Sequence, residues 1–260
     1  MITLYSPEQI DAIREGGAIL SRILEELVDM VKPGVNTADL EAHSTRRMHE
    51  AGGEPSFKGY RSDPSQTPYN SSVCTSINDE VVHAPAIPGR VVKEGDILKL
   101  DIGLRYKTFC TDMAVTVPVG KADKELLNLI AVTKDSMLIG ISKIRAGGWI
   151  SDIGKAVDKR ARRAGYATVK DLTGHGVGNK VHEEPCIPNY FDDGMEPVRM
   201  KEGMVLAVEP MLNIGEEDVV GHRDGWTIST EDKTYSAHFE VTVAITDKGM
   251  EIMTPVPKNV

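Results

Sequence analysis

Cysteine is scarce in this chain, and what there is forms no pattern. The three residues, Cys74, Cys110 and Cys186, are odd in number and widely spaced, and no Cys-x-x-Cys occurs. That excludes a disulfide framework and a cysteine-rich zinc site, and it fits a reducing, cytoplasmic setting. Long hydrophobic runs are also missing. No stretch approaches the ~18 consecutive apolar residues of a membrane span. The opening residues, Met1-Ile2-Thr3-Leu4-Tyr5, lack the basic region and apolar run of a secretory leader. No basic block stands out among 30 lysines and arginines, against 39 acids and a net charge of −9. Nucleic acid and anionic lipid are therefore not expected partners. The acid excess has two readings, a soluble surface or carboxylates gathered at a cation site, and composition does not choose between them.

What is present reads as helices and strands in turn. Ser6-Pro7-Glu8-Gln9 is a helix start, with Ser6 to cap, Pro7 at the first helical position and Gln9 placed for a capping box. Ile10, Ile13, Leu20, Ile23, Leu24 and Leu27 follow at helical spacing until Pro33-Gly34. A second helix is expected from near Thr37 to Gly52-Gly53, a third from about Asp123 to Ile144, and a fourth from Ser151 to Gly165. At an offset of 113, Gly34 falls on Gly147, Asp39 on Asp152, Leu40 on Ile153 and Ala51-Gly52 on Ala164-Gly165. The offset predicts two related halves, about 10–120 and 123–250, each a helix pair followed by strands. Alternation predicts strands over Ile97–Leu104, Phe109–Val117, Met204–Met211, Trp226–Ser229 and Phe239–Thr246. The order implies an α+β fold, with helices packed on a mostly antiparallel sheet. No linker divides the chain, so residues 1–260 are expected to form one domain.

The chemistry lies in carboxylates. If Tyr106-Lys107 makes a two-residue turn, Asp101 opposes Asp112, while Leu98 meets Val115, Leu100 meets Met113 and Leu104 meets Phe109 on an apolar face. Two facing carboxylates destabilise a sheet unless a proton or cation lies between them. Alone, the pair reads as two solvated aspartates. Glu209, after Val205-Leu206-Ala207-Val208, and Glu240, in Phe239-Glu240-Val241-Thr242-Val243, tip the balance. An acid in so apolar a strand needs a salt bridge or a metal, and no lysine or arginine is close to Glu209 in sequence. His175 sits between glycines in Thr173-Gly174-His175-Gly176-Val177-Gly178, where the backbone is free to bend and aim it, and His182 follows seven residues later. This is not the His-Glu-x-x-His of helical zinc proteases. One histidine with four carboxylates makes an oxygen-rich site suited to hard or borderline divalent ions, two of them if carboxylates bridge.

Taken in order, several segments resemble type I methionine aminopeptidases over almost the full length. They are Cys74-Thr75-Ser76-Ile77-Asn78 with His83, Asp101 and Asp112 eleven apart, Gly174-His175-Gly176-Val177-Gly178, His182-Glu183-Glu184-Pro185, Val208-Glu209-Pro210-Met211 and Ser236-Ala237-His238-Phe239-Glu240. The resemblance implies the pita-bread fold, two pseudo-symmetric halves around an antiparallel sheet, and two divalent ions drawn from cobalt, manganese, iron and zinc. It implies that Asp101 chelates one ion, that His175 and Glu209 bind the other, and that Asp112 and Glu240 bridge them. Glu209 would handle the proton from water, His182 would steady the carbonyl oxygen, and His83 would contact the scissile amide. Cys74, Trp226, Met211 and aromatics such as Phe57, Tyr60 and Tyr69 are candidates for the methionine pocket, with core packing an equal reading for the last three. The implied substrates are nascent peptide N-termini with a small second residue, met at the ribosome by a monomer.

The chain departs from the family in three places. His83-Ala84-Pro85-Ala86-Ile87-Pro88 replaces the usual His-Gly-Ile-Pro, the segment from Gly59 to Ser72 is longer, and Val181 stands where an aromatic is usual. The turn-rich middle of that long segment predicts a surface loop, free in its centre and tied to the pocket at one end. Rival readings are an Xaa-Pro aminopeptidase or prolidase, which usually carries a large N-terminal domain, and a non-catalytic pita-bread binding module, which typically loses metal ligands. A type II methionine aminopeptidase is disfavoured because the C-terminal half lacks its helical insertion.

Overall fold

The computed structural model describes residues 2–191 and 194–260. Four helices stand where the spacing predicts them: α1 (Pro7–Met30), α2 (Thr37–Glu50), α3 (Lys124–Ile141) and α4 (Ser151–Arg163). The capping box forms, with Ser6 Oγ accepting from the Gln9 N–H while Gln9 Oε1 accepts from the Ser6 N–H at 2.9 Å. Gly34 and Gly147, related by the offset, both take left-handed backbone, φ +91° and +81°, as do Gly52 and Gly165 at +78° and +85°. Only glycine enters that region without strain, so each helix pair breaks at the same two places. None of the described helices is long and apolar enough to cross a membrane.

Among the described residues, the main sheet has nine strands. Its path runs Glu54–Pro55, Ile97–Tyr106, Phe109–Pro118, Glu240–Thr246, Val205–Val208, Thr173–Gly176, Glu183–Pro188, with Val73–Ile77 beside the second and Gly249–Ile252 beside the fourth. Every pairing in it is antiparallel. One face carries Leu98, Leu100, Ile102, Leu104, Met113, Val115 and Val117 into the principal core, where Leu20, Leu24 and Leu27 of α1 and Ile153 and Val157 of α4 meet them. The helices therefore cover one face, and the other is left for chemistry.

The central hairpin differs from its predicted register by two residues. The turn is Lys107-Thr108, both with positive φ (+46° and +75°), as a two-residue hairpin turn of this hand requires. Tyr106 stays in the ladder opposite Phe109 because its side chain packs against the α1 core. Asp101 thus opposes Ala114, and Asp112 opposes Gly103. A shift of two keeps every side chain on its face, so the two aspartates remain neighbours, now diagonal ones. Neither turn residue is glycine or asparagine, which is why the sequence hid the turn.

One lysine is buried on the site face of the same strand. Lys99 is 1% exposed, and its Nζ donates to Asn78 O at 2.7 Å and Ser236 O at 2.9 Å. Burial pushes its pKa down to about 7 against the pull of Glu80 and Asp79. The ammonium ties the turn before His83 to the strand before Glu240. Replacing Lys99 by Met removes a charged donor from both carbonyls, of which Asn78 O keeps only the Ser236 N–H at 3.1 Å; hydrogen bonds from a charged group are worth about 1.5–3 kcal/mol each. We expect the urea midpoint of Lys99→Met to fall by an amount matching about 2 kcal/mol or more. An unchanged midpoint would show that other groups satisfy those carbonyls.

Candidate active site

Five adjacent strands of the main sheet each deliver one ionisable side chain to the same place. In spatial order these are Asp101, Asp112, Glu240, Glu209 at the end of Val205–Val208, and His175. Glu240 pairs with Ala114, and His175 pairs with Ala207, which fixes their heights on the sheet. All five are buried, none more than 9% exposed. Donor atoms of Asp112, His175 and Glu240 lie within 4.8 Å of one another, as do those of Glu209, His238 and Glu240. Asp101 Oδ1, Asp112 Oδ1 and Glu240 Oε1 have no hydrogen-bond partner. Among the described residues, no lysine or arginine pairs with any of the four carboxylates.

The electrostatics are those of acids crowded out of water. Burial pushes Asp101 up to about 6, opposed by His238 and His175 and reinforced by Glu209. Burial and the neighbouring carboxylates raise Asp112 and Glu240 well above the ordinary range. Burial works the same way on Glu209, but the imidazoles of His175 and His238 beside it outweigh burial and hold that carboxyl low. His175 is correspondingly raised: burial opposes its charge, and Glu209 more than compensates.

His175 is prepared as a ligand by its surroundings. Its Nδ1 lies 2.9 Å from Gly176 O. A proton held there leaves the Nε2 lone pair pointing to Glu209 Oε1, 3.2 Å away. A lone pair facing a carboxylate needs a cation or proton between them. The flanking glycines serve close packing rather than the bending expected of them. A Cβ on Gly174 would strike Ala207 O, and one on Gly176 would strike Glu184 O, while neither residue has positive φ.

A cavity of 530 Å³ opens from this cluster and is walled by Phe57, Tyr60, Tyr69, Cys74, His83, His182 and Trp226. Tyr69 meets Trp226 edge-on at 5.1 Å and Phe57 at 6.5 Å. Cys74 pairs with Asp101 across the sheet, and burial raises its thiol pKa well above the usual value. His182 packs edge-on to His175 at 4.4 Å, and its Nδ1 lies 2.7 Å from Tyr60 Oη. Burial and His175 both lower its pKa. His83 takes left-handed backbone, φ +61°, a strained conformation of the kind that functional sites retain. Burial lowers it to about 4.

Met211 is placed elsewhere. It is 1% exposed, packs with Val81, Val82 and Val169, and borders a second cavity of 670 Å³ that shares His83, His175, His182 and Glu209. Beyond Pro210 the chain leaves the main sheet and pairs with Ser236–His238 and Ala167–Thr168, which turns Met211 away from the aromatic wall. The Gly59–Ser72 loop also differs from expectation. Its centre is tied down, with Gln66 Nε2 donating to Gly225 O at 3.0 Å and Trp226 Nε1 donating to Thr67 O at 3.0 Å. Tyr60 and Tyr69, pocket residues both, close its base through a backbone hydrogen bond of 2.9 Å.

Sequence reasoning missed His238, although it lies two residues before Glu240 in a segment already singled out. It also missed His222 and Ile228, which line the cavity beside Trp226. Nothing in Gly221-His222-Arg223-Asp224 marks that wall before the loop is folded.

Comparison with known proteins identifies the family. A sequence model of metallopeptidase family M24 matches residues 11–247. A methionine aminopeptidase of Aquifex aeolicus is 42% identical over 254 residues, covering 97% of this chain and 98% of its own. Methionine aminopeptidase 1 of Bacillus subtilis is 39% identical, covering 98% and 100%. The crystal structure of the Rickettsia prowazekii methionine aminopeptidase superposes with a TM-score of 0.91 at 34% identity, covering 98% of this chain and all of that one. The prolidase of Pyrococcus horikoshii, at 17% identity and a TM-score of 0.78 over 65% of its length, shares the pita-bread fold alone. The chain belongs to metallopeptidase family M24 and, within it, to the methionine aminopeptidases.

Proposed function

We propose that Asp101, Asp112, His175, Glu209 and Glu240 hold two divalent cations, and that this centre removes N-terminal methionine from nascent chains whose second residue is small. One observation carries the reading: these groups converge in a buried cluster in which one carboxylate oxygen each of Asp101, Asp112 and Glu240 has no partner. Four carboxylates balance two divalent charges, whereas four bare ones repel. The oxygen-rich set suits cobalt, manganese, iron or zinc. Asp101 would serve one ion, His175 and Glu209 would serve the other, and Asp112 and Glu240 would contribute to both.

When bound, the two cations supply Lewis acidity, lowering the pKa of a water and polarising the scissile carbonyl. Glu209 takes the proton of the attacking water. With Tyr60 donating to Nδ1 of His182, the Nε2–H is free to donate to the carbonyl oxygen as charge develops there. His83, kept neutral near pH 7 by burial, donates to the scissile amide and relays a proton from Glu209 to the leaving amine. Phe57, Tyr60, Tyr69, Cys74 and Trp226 form an apolar, aromatic hole matched to a thioether. We read residues 1–260 as one catalytic unit built of halves 10–120 and 123–250, acting as a cytoplasmic monomer where chains emerge from the ribosome.

Chelator-treated protein should be inactive on Met-Ala-Ser, cobalt or manganese should restore turnover, and Lys-Ala-Ser should stay intact. Met-Gly peptides should react while Met-Lys and Met-Phe do not. Full activity without metal, or equal rates across the series, would refute the corresponding part. Replacing His182 or His83 by Ala should leave metal content and melting temperature near wild type while kcat/KM falls about 10²-fold, as for loss of an oxyanion donor. Metal lost from His182→Ala would identify a ligand instead.

The metal-free protein should also show an inverted pH response. Asp101, Asp112, Glu240 and His175 all have raised pKa values. At these four groups the folded state therefore binds protons more tightly than the unfolded one, and the stability they contribute is lost as pH rises through the folded pKa, against the smaller opposite contribution of Glu209, His83 and His182, which are held low. With Asp101 at about 6, the melting temperature of metal-free protein should fall between about pH 5 and about pH 7. Added metal should abolish the fall, and a melting temperature that rises with pH in that window would contradict it.

A further inference from the structure

The metal reading leaves one buried imidazole without a task. His238 is 1% exposed, and neither ring nitrogen has a hydrogen-bond partner. Such a group costs stability unless something in the site uses it. Its backbone cannot swing away. Thr116 Oγ1 accepts from the His238 N–H at 2.9 Å and donates to His238 O at 2.7 Å. Two residues earlier, Lys99 holds Ser236 O, and across the strand pair His238 faces Met211. The ring is thereby aimed at Glu209, with Nε2 at 3.5 Å from Oε2.

Glu209 is bracketed by two imidazoles, His175 on Oε1 and His238 on Oε2. The two are not equivalent. Gly176 O takes the Nδ1 proton of His175 and leaves its Nε2 as a lone pair. No acceptor sits at Nδ1 of His238, so its proton is free to reside on Nε2. We propose that His238 is a positioning residue for Glu209: its Nε2–H holds Oε2, so that Oε1 stays turned to the space it shares with His175 Nε2. The inference rests on the two-cation reading and adds a residue outside the five ligands. A carboxylate that binds a cation and also accepts a proton has two jobs for two oxygens. Without His238 it is free to rotate and offer either oxygen to either job.

The test titrates metal-free wild type, His238→Leu and His238→Gln with Co²⁺ by calorimetry and follows Met-Ala-Ser turnover. Leu matches the bulk and lacks a donor, while Gln keeps an N–H within reach of Glu209. We expect His238→Leu to bind Co²⁺ about 10-fold more weakly or worse and to lose about 10-fold or more in kcat, as outer-shell losses typically do. Stoichiometry should equal wild type, KM should stay within about twofold, and His238→Gln should recover both quantities. Equal damage in Leu and Gln, or none in Leu, overturns the proposal. So does one fewer ion per chain, which would make His238 a ligand. If His238→Leu does not fold, His238→Asn, too short to reach Glu209, replaces it: loss in Asn but not Gln supports the proposal, and equal behaviour refutes it. Wild type that binds no Co²⁺ brings down the two-cation reading itself, an outcome distinct from wild-type binding with an unaffected Leu variant.

Discussion

Everything in this molecule answers to one constraint: four carboxylates are held together out of water on one face of a sheet. Coulomb repulsion and desolvation both oppose that arrangement. The opposite face offsets them. Leu98, Leu100, Ile102 and Leu104 and their partners on the neighbouring strands lock the sheet against α1 and α4, so the backbone under the acids cannot relax. The strain is confined to protonation, which is why Asp101, Asp112 and Glu240 respond with raised pKa values, and Glu209 with two imidazole neighbours, rather than with a distorted ladder. It also accounts for the orphaned oxygens, which are costly in a bare core and useful around a cation.

A second set of groups decides how the acids are approached. The aromatic wall comes from two loops that hold one another, through Gln66 to Gly225 and Trp226 to Thr67. The pocket is thus shaped by segments with little apolar content of their own, clipped over a rigid floor. His182 joins wall to floor, touching Tyr60 on one side and His175 on the other.

The sequence showed best what is local or periodic. The helix pairs, their caps and their glycine breaks follow from spacing within a dozen residues, and the buried acids announced themselves as charges in apolar strands. The hairpin turn did not, because Lys107 and Thr108 carry no turn signature and adopt positive φ only under the demand of Tyr106 packing on α1. Met211 is a pocket candidate by resemblance, but the chain changes sheet at Pro210, and only tertiary pairing shows where its side chain packs. His238 was in plain view. Its meaning depends on Glu209, twenty-nine residues earlier, and no window of sequence joins them.

The hairpin that carries Asp101 and Asp112 closes over a two-residue turn, so those two groups are neighbours by construction. The other three come from much farther along the chain, with Glu240 lying 128 residues beyond Asp112. Long loops must close before such partners meet, and contacts of that range form late in folding. A partly folded chain therefore holds half a centre, two carboxylates with nothing to complete them. The five groups are together only once the strand that carries Glu240 has docked, so the cluster is a property of the finished fold and of no shorter part of it.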